Sequence, residues 1–319
     1  MIMNDYELRL RHCLKVERLA FFGLILHNID MTNHPSLRNF LFASTFALTL
    51  LACAAPLRVA AATNPLRVLL ITGGCCHDYT KQKDILKKGI EERASVIIDQ
   101  IHTADSSTRP PLAILGNPDY AKGYELVIHD ECAADISDPA TVEAVLKPHR
   151  DGIPGVNLHC AMHCYRIGKP NDPVTLGTPH GFWFEYLGLQ SSGHGSQEPI
   201  TISFMDKETP IAKGLNDWTT VNEELYNNVH IFDTARAVAH GQQTTRPKTG
   251  AAKTNDFVVV WVNEYGAKKT RVFSTTIGHN NATVEDPRYL DLVTRGVLWA
   301  TGHLKKDGTP ANGYGPGGK

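Results

Sequence analysis

Residues 154–163 read PGVNLHCAMH. Gly155 to Leu158 is apolar apart from Asn157, and a helix is expected to follow from about Cys160 through Met162, His163, Cys164 and Tyr165. A short buried strand running straight into a helix belongs in the middle of an open α/β sheet. The sharp turn at its carboxyl end projects a side chain into the crevice where such sheets bind ligands. His159 occupies that turn. His163 lies four residues on, so the two imidazoles can face the same space. The alternative is a histidine that merely ends a strand and bonds backbone.

The surrounding chain supplies the rest of such a sheet. LRVLLIT (66–72) is a continuous apolar run that stops at Gly73-Gly74, as a strand buried on both faces does. A helix is expected over 81–93, a strand over 95–101 and another over 124–129. A helix over 138–150 is capped by Asp138 with Pro139 at its first position. Strands resume at 200–204, 229–232, 257–262 and 270–276. A last helix covers 287–301 and ends at Gly302. Strands and helices alternating at this spacing predict a doubly wound, mostly parallel sheet. The Gly-, Pro- and Ser-rich stretch 169–199 reads as an excursion over the crevice. Within it, 190–198 is expected to bring His194 toward His159 and Glu224. The Gly/Pro-rich residues 305–319 read as a flexible tail.

The front of the chain has a different character. Residues 1–30 resemble no domain, and from Met31 the order is that of a secretory signal: Arg38, the apolar run 40–55, then Ala60-Ala61-Ala62. The apolar run is shorter than the ~20 residues a spanning helix needs. Residues 1–62 are therefore expected to be removed on export, leaving a single domain over 63–304. Leu50-Leu51-Ala52-Cys53 also resembles a lipoprotein box, so a lipid anchor at Cys53 is the second reading. The formal net charge of −1 and the lack of a basic stripe argue against a nucleic-acid partner. Five cysteines remain after residue 62 (Cys75, Cys76, Cys132, Cys160, Cys164), not at the spacing of a disulfide-dense module, and most are expected to be small buried side chains.

Polar groups collect where strands should end: His77 and Asp78 after the first, His159 and His163 after the fourth, and His279 after 270–276. Histidines from separate strand ends converge by topology, and His194 with Glu224 can join them. Imidazoles with a carboxylate suit two tasks. One is a zinc-like divalent ion held by His77, His159 and His279. The other is metal-free acid–base catalysis by His77, His159, His194, His279 and Glu224. Asp78, His163, Trp183, Tyr226 and Asn280 are candidates for substrate binding, the two aromatics (with Phe184) as an apolar platform. His102, His129, His149, His180, His230, His240 and His303 read as structural. Gly73-Gly74 lacks the later glycines of a dinucleotide fingerprint, so no nucleotide cofactor is expected.

Taken together, VLLITGG with HDY, GVNLHCAMH, TPIAKGL (209–215), EELY (223–226), RVFSTTIGH (271–279) and GVLWATG (296–302) resemble the trehalose-utilisation, or ThuA-like, family over about 66–302. The resemblance implies the flavodoxin-like fold of class I glutamine amidotransferases. It also implies a role in metabolism of disaccharides, glycosides or keto-sugars, with a small carbohydrate as partner. The amidotransferase elbow carries a nucleophilic cysteine where this chain has His159, and the carboxylate after its second histidine is replaced at Asn280-Asn281. Glutaminase chemistry is thus not expected. The remaining alternatives are a non-catalytic sugar-binding or scaffold module and a residual amidohydrolase using Cys160.

Overall fold

The computed structural model describes residues 64–246 and 249–318, so the expected signal segment and Cys53 lie outside the described residues. No helix among the described residues is long and apolar enough to cross a membrane.

A nine-stranded sheet runs β2-β1-β3-β4-β11-β10-β9-β6-β7. Its first half is parallel: β1 (Leu66–Gly74), β2 (Val96–His102), β3 (Leu126–Cys132), β4 (Gly155–Leu158) and β11 (Thr270–Thr275). Its second half is an antiparallel extension: β10 (Lys253–Tyr265), β9 (Ala235–Thr245), β6 (His194–Phe204) and β7 (Trp218–Tyr226). Only β10 and β6 run against the others, so most strands share one direction. The two-residue β5 (Leu189–Gln190) and β8 (His230–Ile231) pair separately, so the strand expected over 229–232 lies outside the main sheet.

Side-chain alternation in β1 explains the layering. Val68 and Leu70 face α1 (Tyr79–Glu91) and α4 (Pro287–Ala300). Leu69 and Ile71 face α2 (Pro139–Arg150) and α3 (Phe182–Leu187). All four are buried, each contributing about 1.5–3 kcal/mol of transfer free energy. A strand buried on both faces belongs in a parallel sheet covered by helices. Asp138 caps α2 by accepting from the Thr141 backbone N–H, with Pro139 in the first turn, as the sequence requires.

β1 lies between β2 and β3, so the chain leaves it in both directions across the sheet. That reversal opens a crevice at the carboxyl ends of β1 and β3. At its edge Gly74, with φ +101°, could not be another residue, because a Cβ there would lie 2.2 Å from the Cys132 carbonyl oxygen.

The segment after β4 is a 3-10 helix over His159–His163 rather than the α-helix expected from Cys160. Residues 305–318, expected as a flexible tail, are tied to the domain. Leu304 bridges to Pro310, the Ser95 N–H donates to the Tyr314 carbonyl, and the His303 ring stacks on Tyr314 at 3.7 Å.

Candidate active site

The site is assembled from the ends of three strands. His77 follows β1, His159 follows β4 and His279 follows β11. Their candidate ligand nitrogens all lie within 4.8 Å of one another. Ring centroids are 4.7 Å apart for His77–His159, 4.8 Å for His77–His279 and 5.5 Å for His159–His279.

The backbone makes this possible at two strained points. His159 has φ +42°, a left-handed conformation that costs a non-glycine residue roughly 1–3 kcal/mol and that here turns its side chain off the strand end. Gly278, φ +133°, passes so close that a Cβ would meet the Tyr289 hydroxyl at 2.8 Å and His159 Cβ at 3.5 Å.

Hydrogen bonds then aim two of the rings. His159 Nδ1 sits 2.6 Å from the Thr276 carbonyl oxygen and must carry the proton to donate there, which leaves Nε2 as the acceptor facing the cluster. His279 Nε2 is 2.7 Å from the Gln197 amide nitrogen, and Nδ1 points inward. His77 Nδ1 and His279 Nδ1 are buried without a hydrogen-bond partner.

Glu224, at the end of edge strand β7, closes the ring of imidazoles. Its Oε2 lies 3.4 Å from His159 Nε2, 3.3 Å from His279 Nδ1 and 3.5 Å from His194 Nε2. The His279 approach is an ion-pair distance without hydrogen-bond alignment. Tyr226, two residues on and on the same face, sets its hydroxyl 3.4 Å from His159 Nε2.

The electrostatics follow from this packing. Burial disfavours the charged form of His77, and the neighbouring His159 and His279 add to the effect, lowering it to about 2. Burial alone would raise Glu224, but His159 and His279 outweigh it and hold the carboxyl well below its ordinary range. Interaction with Glu224 raises His279, against a smaller desolvation effect. A carboxylate held ionised thus lies beside one imidazole, His77, that burial keeps neutral and another, His279, whose charged form it favours.

An open cleft of about 980 Å³ leads to the cluster, lined by His77, Asp78, Asn222, His279, Asn280 and Asn281 among others. Asp78 accepts from the Asn281 side-chain amide at 2.9 Å, and Asn280 donates to the Asn222 carbonyl, so both candidate substrate contacts lie at the cleft wall. His194 stands in β6, beside a bulge before Gln197, rather than in a free loop, and is partly exposed.

Three candidates fall elsewhere. Trp183 is core: it is 1% exposed, its indole donates to the Ala161 carbonyl, and it packs on Tyr165 and Tyr186. Phe184 is equally buried, so neither is a sugar platform. His163 is buried against Ser191, 3.0 Å from its hydroxyl, with its ring stacked on Tyr226 at 4.3 Å. It buttresses Tyr226 instead of facing the cleft. Three supporting residues escaped the sequence reading. Gln197 bridges His279 and Glu224. Buried Glu223 accepts the N–H groups of Gly278, His279 and Asn280, and Gln82 donates to the His279 carbonyl.

The family model described as "Trehalose utilisation" (ThuA) matches residues 67–300. The chain belongs to the ThuA family. Solved structures of ThuA-like proteins from Parabacteroides merdae (18% identical, TM-score 0.51, covering 77% of this chain and 97% of that one) and Bacteroides uniformis (17%, 0.51, 80% and 98%) share its fold. A glutamine amidotransferase from Thermotoga maritima is also a neighbour, at 12% identity, TM-score 0.39 and coverage of 75% and 99%. A search of curated proteins finds no significant match. All strand-end histidines of the site lie inside the matched ThuA region or on its elements.

Proposed function

We propose that this ThuA-family protein is an exported enzyme of carbohydrate metabolism, acting on a disaccharide, glycoside or keto-sugar at a divalent ion held by His77, His159 and His279. One observation carries the reading. Three imidazoles from three strand ends bring candidate ligand nitrogens within 4.8 Å of one another, and His77 Nδ1 and His279 Nδ1 are buried with no hydrogen-bond partner. Orphaned buried donors or acceptors call for a ligand, and three imidazoles beside a carboxylate suit zinc with an open position. When bound, such an ion supplies Lewis-acid polarisation of a sugar oxygen.

The chain's own residues account for the rest. Glu224 stays ionised, so it fits as a charge partner or further ligand more than as a base, because a carboxylate so strongly held has little affinity for a proton. His194, partly exposed at the rim and 3.5 Å from Glu224, is the group placed to carry a proton to or from substrate. Asp78 and Asn280 offer hydrogen-bonding groups for sugar hydroxyls along the cleft. The amidohydrolase reading gains no support: the Cys160 thiol donates to Cys132 at 2.7 Å, and that bond, with burial, pushes it well above its ordinary range.

The test is a screen of disaccharides and their 3-keto forms with zinc-loaded protein, alongside His159→Ala. Turnover that His159→Ala abolishes supports the reading. Sugar binding without turnover would favour a binding module, and neither binding nor turnover would reject a carbohydrate role.

A further inference from the structure

Beside the histidines runs a row of sulfurs that the proposed chemistry does not use. Cys75 and Cys76 are joined as a disulfide at the end of β1. Cys132, the last residue of β3, places its Sγ 3.3 Å from Cys75 Sγ. Cys160, directly after His159, places its Sγ 2.7 Å from Cys132 Sγ. Cys132 and Cys160 are free and buried, packed with Tyr79 and half-buried Cys75. Four sulfurs from three strand ends thus form one chain, Cys76–Cys75···Cys132···Cys160, with the disulfide at its outer end and a dithiol at its inner end.

We propose that this row is a thiol–disulfide relay that moves a single disulfide between Cys75–Cys76 and Cys132–Cys160. In the first step the Cys132 sulfur attacks Cys75 Sγ. A Cys132–Cys75 bond forms, the Cys75–Cys76 bond breaks, and Cys76 leaves as the thiolate and takes up the proton Cys132 gave up. In the second step the Cys160 sulfur attacks Cys132. A Cys160–Cys132 bond forms, Cys75 leaves, and it takes the proton from Cys160. One disulfide and two thiols are present before and after, so no outside oxidant or reductant is needed.

The relay's place in the fold gives it a consequence. Its outer disulfide closes the turn that carries His77, where Cys76 already has φ +82°. Its inner one would tie the end of β3 to the turn that carries His159. Passing the bond inward releases the His77 turn and clamps the His159 turn. This coupling rests on the reading of those histidines as one centre, whereas the exchange itself does not.

Disulfide mapping tests the exchange without metal or sugar, and a histidine resonance tests the coupling. Full-length protein is held at about pH 8, near the ordinary thiol pKa, then acid-quenched, alkylated and digested without reductant. The wild type is expected to yield both a Cys75–Cys76 and a Cys132–Cys160 peptide. Cys132→Ser should yield only Cys75–Cys76, and Cys160→Ser should accumulate the Cys75–Cys132 intermediate. Wild type that yields Cys75–Cys76 alone, with Cys132 and Cys160 fully alkylated, overturns the relay. For the coupling, the His77 imidazole resonance is compared between Cys132→Ser and the Cys75→Ser/Cys76→Ser double variant. Different resonances are expected, and identical ones would overturn the link to the site.

Discussion

Replacing Glu223 by Ala should damage both stability and the site, although Glu223 touches no cleft. Its buried carboxylate accepts the N–H groups of His279 at 3.0 Å, Asn280 at 3.1 Å and Gly278 at 3.4 Å. Alanine leaves those donors without a partner. A buried donor left unmatched costs roughly 1–3 kcal/mol. Two good bonds and one long one therefore give about 3–5 kcal/mol. At roughly 2–4 °C per kcal/mol for a domain of this size, the melting temperature should fall by about 6–20 °C. Glu223→Gln keeps one acceptor oxygen and should fall between. Because these N–H groups fix the turn that delivers His279, zinc affinity should also drop about 10–100-fold, the usual cost of losing an outer partner of a ligand. Calorimetric melting and zinc titration measure the two effects. A melting temperature within ~2 °C of wild type, with unchanged zinc affinity, would show that Glu223 holds neither the fold nor the His279 turn.

Further outcomes are expected. His194→Ala should lower kcat/KM by at least ~10²-fold, the low end for a lost acid–base group, with little change in melting temperature; unchanged kinetics would remove His194 from the site. In metal-free protein, NMR titration should show His279 holding its proton past the ordinary 6.5, and Glu224→Gln should bring that midpoint down. The sign for stability follows from the same pair. The raised His279 contributes fully below pH 6.5 and less as pH climbs through its folded value. The lowered Glu224 contributes above pH 4.5 and less as pH falls toward its folded value. The pair's support is therefore greatest between 4.5 and 6.5. Finally, sequencing of native protein should find an amino terminus near Thr63, or at Cys53 if lipidated; an intact Met1 would contradict export.

The sequence revealed some layers of this architecture better than others, for physical reasons. Strands of the parallel half are buried on both faces, so β1 and β4 stand out as apolar runs. β7, WTTVNEELY, lies at the sheet edge with several residues exposed, and β9 is half-exposed; neither has the apolar density that marks a strand. His77, His159 and His279 were legible because topology alone brings strand ends together. Glu223 was not, since its neighbour Glu224 looks identical in sequence and only the pleat sends one to the imidazoles and the other to backbone. Gln197 reaches His279 across a register shift between His194 and Gln197 that alternation does not reveal. Trp183 was misplaced because an aromatic residue in a Gly/Pro-rich stretch reads the same whether it lines a cleft or fills the core. Residues 305–318 were misplaced because composition does not register the stacking of Tyr314 on His303.

His77, His159 and His279 are proposed to form one divalent-metal site. Zinc titration of the purified full-length protein by calorimetry tests it most directly, with His77→Ala, His159→Ala and His279→Ala beside a His129→Ala control. One ion per chain is expected, lost or weakened by at least ~10²-fold in each site variant and retained in the control. Absence of zinc binding, or binding that survives all three site substitutions, would contradict it.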